Sequence, residues 1–213
     1  MKILLATGNE GKKKELLEVL GEIQGIRWLS LKDFSPVKDP EEHGQTFREN
    51  ALLKAKYFAE KFQIPTLGED SGIILEAFPE KFGVRTRREI SSSDDVDWLR
   101  QFLELLEGEK NRKATFFSAL AYYDPITKKQ HMTQGTCRGE ITEFPQAPLE
   151  KGIPVSAVFL PEGKDIVYSA MSKEEKNSIS HRGESTHQMA EKLKKIVFSE
   201  SNERVSGGYL DPK

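Results

Sequence analysis

Residues 2–12 read KILLATGNEGK, and this short stretch indicates the class of fold. Residues 1–6 carry a continuous apolar run that stops at Thr-Gly-Asn, which is typical of a buried β-strand. Three leucines then follow at helical spacing until Gly21, so a helix over residues 10–21 is predicted. A strand that passes through a glycine-containing turn into a helix is a common opening unit of an α/β fold.

The rest of the chain continues this alternation. Thr46 is predicted as the N-cap of a helix over residues 46–62, with Glu49 as its capping-box partner. Further helices are predicted over 94–106 and 185–198, a helical turn begins at 172, and strands are predicted over 26–31, 113–123, 130–136, 139–143 and 155–160. The sequence therefore predicts an α/β fold with a mixed central sheet and flanking helices. We expect one domain over residues 1–198 and a loose polar tail over 199–213.

The charge balance argues against one class of partner. The chain has 213 residues, of which 37% are apolar, enough for a packed core. Charged residues make up 31%, yet the formal net charge is only −2. A general nucleic-acid binder would carry a basic excess. We therefore expect no nucleic-acid partner.

Cysteine usage and hydropathy exclude further classes. Cys137 is the single cysteine, so neither an intramolecular disulfide nor a cysteine-rich zinc site can form, and it is interpreted as a small apolar filler of a strand. The first apolar run is too short for a signal peptide, and no run approaches the ~18 residues of a membrane span. We expect a cytoplasmic protein without a membrane partner.

The turn over residues 7–14, TGNEGKKK, is the first candidate site. Backbone N–H groups at a helix N-terminus favour an anion, glycines let a phosphate approach closely, and the lysines add positive charge. It is not a Walker loop, because the spacing GxxxxGK[ST] is absent. The alternative interpretation, an ordinary strand-to-helix turn with solvated lysines, stays open.

An acidic segment over residues 68–72, GEDSG, is the second candidate, with Glu41 and Glu42 upstream. Carboxylates on a glycine-flanked turn can hold Mg²⁺ through hard oxygen atoms while leaving positions for water and phosphate. The segment follows apolar strand residues, at the kind of strand end where α/β proteins bind ligands. A solvent-exposed acidic turn is the alternative.

Two polar groupings on helices complete the set. Asn50 and Lys54 stand four residues apart, so both could reach one anionic ligand, although such a pair is usually a solvated face. Residues 172–183 place His181 and Arg182 beside a glycine, where they could stack on a purine or hydrogen-bond its edge. A capping box explains Ser172 and Glu175 but not the His-Arg pair.

In this order the motifs resemble those of the inosine triphosphate/xanthosine triphosphate pyrophosphatases. That family shows ATGNxGKxxEL, TFxENAxxKA, ADDSG, PGVxSAR and SxEEKNxISHRG. This chain has ATGNEGKKKEL at 6–16, TFRENALLKA at 46–55, GEDSG at 68–72, FGVRTRR at 82–88 and SKEEKNSISHRG at 172–183. The resemblance covers residues 3 to about 197.

The resemblance implies a two-lobed fold with an elongated mixed sheet, a nucleotide cleft between the lobes, and a homodimer. It implies hydrolysis of non-standard purine nucleoside triphosphates (ITP, dITP, XTP) to the monophosphate and pyrophosphate, with Mg²⁺ bridging the phosphates. Carried over by position, Asp70 is the metal-linked general base, and Glu42 or Glu41 is the second acid at the metal. The substrate-binding residues are Thr7, Gly8, Asn9, Glu10, Gly11 and Lys12 for the triphosphate, Lys54, Ser71, and Lys176, His181 and Arg182 for the base.

The chain departs from the family pattern at the base pocket. Family members carry a GGFGYDPxF segment, whereas residues 151–159 read KGIPVSAVF, without the stacking ring and the carboxylate. Weaker discrimination against a 6-amino base is therefore expected, unless Phe144 or Phe159 compensates. The rim at 85–88 is also more basic than in the family. The alternative function is a nucleotide-binding relative with altered base selectivity or weakened catalysis.

Overall fold

The computed structural model describes residues 1–86 and 89–206, with side chains through residue 199. Its strands are β1 Lys2–Ala6, β2 Arg27–Ser30, β3 Thr66–Leu75, β4 Lys113–Tyr123, β5 Gln130–Ile141 and β6 Phe159–Pro161. Its helices are α1 Glu10–Leu20, α2 Phe47–Phe62, α3 Asp95–Glu104, α4 Lys173–Ile179 and α5 His181–Ser206. None of these helices within the described ranges is long and apolar enough to cross a membrane.

All six strands form one sheet in the order β2-β1-β3-β4-β5-β6. β1 runs parallel to β2 and to β3, while β3, β4, β5 and β6 pair antiparallel in sequence order. The predicted α/β class and mixed sheet are confirmed.

Helices cover both faces of the first half of the sheet. Because successive side chains of a strand point to opposite faces, β1 contributes apolar residues to both. On β1, Ile3 and Leu5 pack with α1 and α5 on one face. Leu4 and Ala6 pack against α2 on the other face, beside Phe58. These residues are all 0–1% exposed, which explains why β1 is apolar throughout.

A second packed region lies at the other end of the long strands. Trp98 and Phe102 of α3 pack there against Ile73 of β3 and Phe159 of β6. Because β3, β4 and β5 are 10, 11 and 12 residues long, they extend through both regions. The two packed regions, called here the first and second lobes, thus share one elongated sheet.

Several predicted boundaries are wrong. Residues 68–72 are not a turn but the middle of β3, with Asp70 opposite Ala119 of β4. The two strands predicted over 130–143 are the single strand β5. The strand predicted over 155–160 is a 3-10 turn, Pro154–Ala157, followed by β6.

Two details of the predicted helices are also wrong. Thr46 caps α2 by accepting the Glu49 N–H at 3.1 Å, but Glu49 accepts from the Gln45 N–H rather than from Thr46, so no capping box forms. Helix α5 begins at His181 and continues to Ser206, beyond the expected end at 198. The part of the expected polar tail over 207–213 lies outside the described residues.

Candidate active site

The candidate site lies where β1 ends and β3 continues alone beside β4. β1 pairs with β3 only as far as Ala6 opposite Gly68. The next residues of β3, Glu69 to Ser71, therefore occupy the border between the lobes. Because alternate side chains point to opposite faces, Glu69 and Ser71 face α1 and α5, whereas Asp70 faces α2.

Asp70 is a buried carboxylate with few partners. Its Oδ2 accepts a hydrogen bond from Asn50 Nδ2 at 3.1 Å, and its Oδ1 accepts from the Ser71 N–H at 3.0 Å. Burial raises the pKa of Asp70 to about 6, although the positive charges of Lys12 and Lys54 oppose the rise. The acid therefore exchanges its proton near neutral pH, as a general base should.

Glu69, the residue before Asp70, has its pKa shifted in the opposite direction. Its two oxygens meet Lys12 Nζ at 3.1 Å and Arg182 Nε at 3.3 Å. Burial alone would raise the pKa of Glu69, but these two cations outweigh burial and hold it well below its usual range. Two adjacent carboxylates thus have pKa values shifted in opposite directions, which is characteristic of functional sites.

Lys54 connects the upstream loop to this strand. Its ammonium donates to the Glu69 carbonyl at 3.0 Å and pairs with Glu42 at 2.6 Å. Burial would lower the pKa of Lys54, but the Glu42 carboxylate reverses this and raises it. Glu41 is highly exposed, and among the described residues its carboxylate pairs only with Lys38, at 3.9 Å. Of the two upstream acids, the structure therefore brings Glu42, not Glu41, to the site.

The described residues contain no ready-made metal cluster of three or more His, Cys, Asp or Glu side chains. Asp70 and Glu42 nevertheless lie close enough that the charge of Glu42 raises the pKa of Asp70. Mg²⁺ is commonly held by one or two carboxylates together with substrate phosphates. The donor set present fits that mode of binding.

The turn at 7–12 has mixed roles. Asn9 caps α1 by accepting the Lys12 N–H at 3.1 Å, and it donates to the Gly152 carbonyl at 2.8 Å. A Cβ on Gly8 would meet no atom within 4 Å, so that side of the turn has room for a ligand. A Cβ on Gly11 would lie 2.4 Å from the Lys151 carbonyl, so Gly11 is needed for packing against the segment 150–153.

Thr7 and Glu10, the other predicted members of that turn, make separate contacts. Thr7 Oγ1 accepts the Asn9 N–H at 3.3 Å. The Glu10 side chain pairs with Lys32 at 2.6 Å on the surface.

Arg182 and Lys176 belong to a buried ion-pair network. The Arg182 guanidinium contacts Glu15 and Glu69 and donates to Ser71 Oγ at 2.9 Å. Lys176 pairs with Glu15 at 2.6 Å and with Glu150 at 2.9 Å. We expected these cations to hold a base; in the structure their partners are the carboxylates of Glu15, Glu69 and Glu150.

Glu15 is the residue of this network that the sequence analysis missed. It is 7% exposed and stands three residues after Lys12. Side chains at this spacing share a helix face, and this was the available signal.

His181 is buried and uncharged. Its ring stacks on Phe116 with centroids 4.6 Å apart, and its Nδ1 has no hydrogen-bond partner among the described residues. Burial, reinforced by the charge of Arg182, holds the pKa of His181 well below its usual range. A neutral imidazole can donate or accept a hydrogen bond, so His181 can meet either kind of group on a base.

A cavity of about 140 Å³, called here the inter-lobe cavity, is lined by some of these groups. Its polar lining includes Lys12, Ser71, His181 and Arg182, and the segment 152–156 forms one wall. Its aromatic lining is Trp98, Phe116 and Tyr168.

The two rings named as possible substitutes for the missing stacking ring, Phe144 and Phe159, do not line this cavity. Phe144 is 64% exposed, and Phe159 is buried in the core of the second lobe. The rings that do line it come from distant parts of the chain.

The basic rim lies only partly within the described residues. Arg85 is exposed and pairs with Glu89 at 3.3 Å, while Arg87 and Arg88 lie outside the described ranges.

Comparison with known proteins identifies relatives along nearly the whole chain. The model of the Ham1 family matches residues 3–192. A dITP/XTP pyrophosphatase of Aquifex aeolicus is 39% identical over 204 residues, covering 91% of this chain and 97% of its own. One of Bacillus anthracis is 34% identical over 203 residues, covering 93% and 98%. The structure of a HAM1 protein from Coxiella burnetii superposes with a TM-score of 0.78 at 30% identity, covering 92% of this chain and 99% of that one.

Proposed function

The chain belongs to the Ham1 family, and on this premise we propose that it hydrolyses non-standard purine nucleoside triphosphates (ITP, dITP and XTP) to the monophosphate and pyrophosphate. The observation that carries the proposal is Asp70. It is a buried carboxyl whose pKa is raised to about 6 by burial, close enough to Lys12 and Lys54 for their charges to oppose that rise. The relatives are named dITP/XTP pyrophosphatases, which supports the substrate class.

In the proposed reaction, Asp70 accepts a proton from a water molecule. The water oxygen forms a bond to the α-phosphorus, the bond between that phosphorus and the α–β bridging oxygen breaks, and pyrophosphate leaves with that oxygen. Asn50 orients the carboxylate, because its amide donates to Oδ2 while its own oxygen accepts the Gly44 N–H at 2.8 Å. Glu69 stays ionised and holds Lys12 and Arg182 in place, so Asp70 beside it remains able to accept a proton.

The phosphates are assigned to the turn 7–12, to Lys12 and to Lys54. Their positive charges and N–H groups offset the charge that develops on the phosphoryl oxygens. Ser71, His181, Arg182 and Lys176 are assigned to the nucleoside side, since the first three line the inter-lobe cavity.

A Mg²⁺ ion is part of the proposal, and Asp70 and Glu42 are the residues that would hold it. When bound, Mg²⁺ would neutralise negative charge on the phosphate oxygens. The resemblance to the family is the support for this assignment, together with the fit of the two carboxylates.

A homodimer is proposed on the same resemblance. A cytoplasmic location is proposed because no apolar run approaches the ~18 residues of a membrane span, and the net charge of −2 supports the absence of a nucleic-acid partner. Size-exclusion chromatography with light scattering tests the dimer.

A pyrophosphate-release assay tests the function. ITP, XTP, dITP, GTP and ATP are each supplied with Mg²⁺ and, in a parallel series, with EDTA. We expect the three non-standard triphosphates to be hydrolysed fastest and all release to stop with EDTA. If no triphosphate is hydrolysed but ITP still binds, the alternative of a nucleotide-binding relative with weakened catalysis is correct.

A further inference from the structure

The wall of the inter-lobe cavity begins at Gly152, which lies against the turn 7–12. A Cβ on Gly152 would lie 2.5 Å from Asn9 Oδ1, closer than a side chain can approach. Gly152 also has φ +82°, a conformation that favours glycine. Glycine is therefore required where the start of this wall meets the turn to which the phosphates are assigned.

The N–H and the carbonyl of Gly152 are held from different lobes. The carbonyl accepts from Asn9 Nδ2 at 2.8 Å, and Asn9 Oδ1 in turn accepts the Lys12 N–H in the first turn of α1. The N–H donates to the Asp95 carboxylate at 2.6 Å. Asp95 is the first residue of α3, which packs in the second lobe. Gly152 therefore links the turn 7–12 of the first lobe to α3 of the second.

Helix α3 is a firm anchor for this bond. Its buried residues Trp98, Leu99 and Phe102 are all 0–2% exposed, so the helix is fixed in the core of the second lobe. A hydrogen bond to a carboxylate is roughly twice as strong as one between neutral groups. Asp97 lies in the same first turn but pairs with Arg100 at 2.7 Å on the surface, so the contact with the cavity wall belongs to Asp95.

The residues after Gly152 need such an anchor. Residues 142–153 join β5 to the 3-10 turn of the wall without a helix or strand of their own. The apolar lining of the wall consists of Ile153, Pro154 and Val155. Apolar contacts weaken steeply with distance, and a gap of about 0.5–1 Å already forfeits roughly a quarter to a half of the attraction. The wall can therefore contact a base closely only if its backbone is held in place.

The volume of the cavity indicates which part of a nucleotide it would take. At about 140 Å³ it is well below the ~300–1,000 Å³ of a typical small-molecule site, so it suits a base rather than a whole nucleotide. With the phosphates at the turn 7–12, the spacing between this turn and the wall has to match the distance between the phosphates and the base. Gly152, which is held from both lobes, sets that spacing.

We propose that Asp95 is a positioning residue for base recognition. Through the Gly152 N–H it holds the cavity wall at the spacing from the turn 7–12 that a purine nucleotide requires. This assignment rests on the proposed function. Asp95 is not among the residues that line the cavity, so it acts on the base through the wall. Loss of the contact should weaken binding of the base and leave binding of the phosphates unchanged, because Asn9 still caps α1 at the turn.

Two substitutions of Asp95 separate the hydrogen bond from the negative charge. Asp95→Ala removes the acceptor of the Gly152 N–H, whereas Asp95→Asn keeps an acceptor oxygen without the charge. Asp97→Ala is the matched control, because it removes a carboxylate from the same turn of α3 whose partners are Arg100 and Gln101. Calorimetry measures the Kd of two probes in the presence of Mg²⁺. One is the α,β-methylene analogue of ITP, which cannot be cleaved between these phosphates, and the other is tripolyphosphate, which lacks the base.

We expect Asp95→Ala to raise the Kd of the analogue roughly 10- to 150-fold and to leave the Kd of tripolyphosphate unchanged. Asp95→Asn should retain most of the affinity for the analogue, and Asp97→Ala should change neither Kd. A purely structural contribution of Asp95 would lower the Tm but leave the ratio of the two Kd values as it is in the wild type.

An unchanged ratio in Asp95→Ala overturns the assignment, and so does an Asp95→Asn variant as impaired as Asp95→Ala; in both cases the proposed function stands. If Asp95→Ala does not fold, Asp95→Glu decides. It moves the carboxylate by one methylene and should raise the ratio in the same direction, and an unchanged ratio in that variant shows that the assignment is wrong. If the wild type neither binds the analogue nor hydrolyses ITP, the proposed function itself fails.

Discussion

Replacing Asp70 by asparagine should abolish pyrophosphate release and, at alkaline pH, make the fold more stable. The amide cannot accept the proton of the attacking water and is a poorer ligand for a hard cation. It also carries no charge, so it removes the cost of burying a carboxylate whose pKa is raised by that burial. Loss of activity with gain of stability distinguishes a catalytic acid from a structural one.

The magnitude follows from the shift in pKa. The Asp70 pKa rises from 3.8 to about 6 on folding. At 1.36 kcal/mol per pKa unit, ionisation of Asp70 costs the fold about 3 kcal/mol at pH 8, about half of that at pH 5, and little at pH 4. Because folding raises the pKa of Asp70, its contribution to the stability of the fold is complete below the unfolded pKa. This contribution is lost as the pH rises through about 6.

The free energy of one lost hydrogen bond has to be subtracted from this gain in stability. Asp70 accepts from both Asn50 and Ser71, and asparagine can accept well from only one of them. That loss costs about 1 kcal/mol at every pH. The variant should therefore be about 2 kcal/mol more stable than wild type at pH 8 and equal or slightly less stable at pH 4.

Urea unfolding of both proteins at pH 4, 5, 6 and 8 in EDTA, without nucleotide, measures this difference. Glu69→Gln is the matched control on the neighbouring residue. It leaves Lys12 and Arg182 without their shared carboxylate and should destabilise the fold by roughly 3–5 kcal/mol. A variant Asp70→Asn that is less stable than wild type at pH 8, or that keeps near wild-type turnover, would refute the reasoning.

Three further predictions concern kinetics. Lys12→Ala and Lys54→Ala should each remove about 1–3 kcal/mol of transition-state stabilisation, which lowers kcat/KM for ITP roughly 5- to 150-fold. Lys14 is exposed, so Lys14→Ala should have little effect. Equal kinetics in all three variants would mean that the lysines do not bind phosphate. The kcat/KM for ITP should fall as the pH drops through about 6, because Asp70 must be ionised; a flat profile between pH 5 and 8 contradicts this. The ratio of kcat/KM for ITP to that for ATP should be smaller than in a relative carrying FGYD, because Ser156 stands where that motif has its carboxylate; an equal ratio shows that the segment does not set selectivity.

Much of the fold could be predicted because the relevant forces are local. The apolar run of β1, the leucines of α1 and the cap at Thr46 each act over a few residues, and they are present in the structure as expected. The division of β5 into two strands was wrong for a non-local reason. At Gly135 a Cβ would lie 2.2 Å from the His181 carbonyl, so this glycine lets α5 pack against an unbroken strand.

The sequence by itself determined which groups are available: the turn at 7–12, the acidic pair on β3, the lysines and the His-Arg pair. Only the tertiary structure decided what state they are in. Glu69 and Asp70 are neighbours in sequence, yet one is ionised by Lys12 and Arg182 while the other titrates near pH 6. The difference arises because Arg182 lies 113 positions from Glu69 along the chain but within hydrogen-bonding distance in space.

The tertiary structure also decided that Glu42 rather than Glu41 lies at the site and that Trp98 lines the cavity. Both acids have the same chemistry, and only the packing of Lys54 brings one of them to the site. Trp98 has the pattern of a core residue because burial in a core and burial around a cavity give the same helical periodicity. A pKa and a cavity wall depend on burial and on charges contributed by distant segments, and the sequence pattern of one element contains neither.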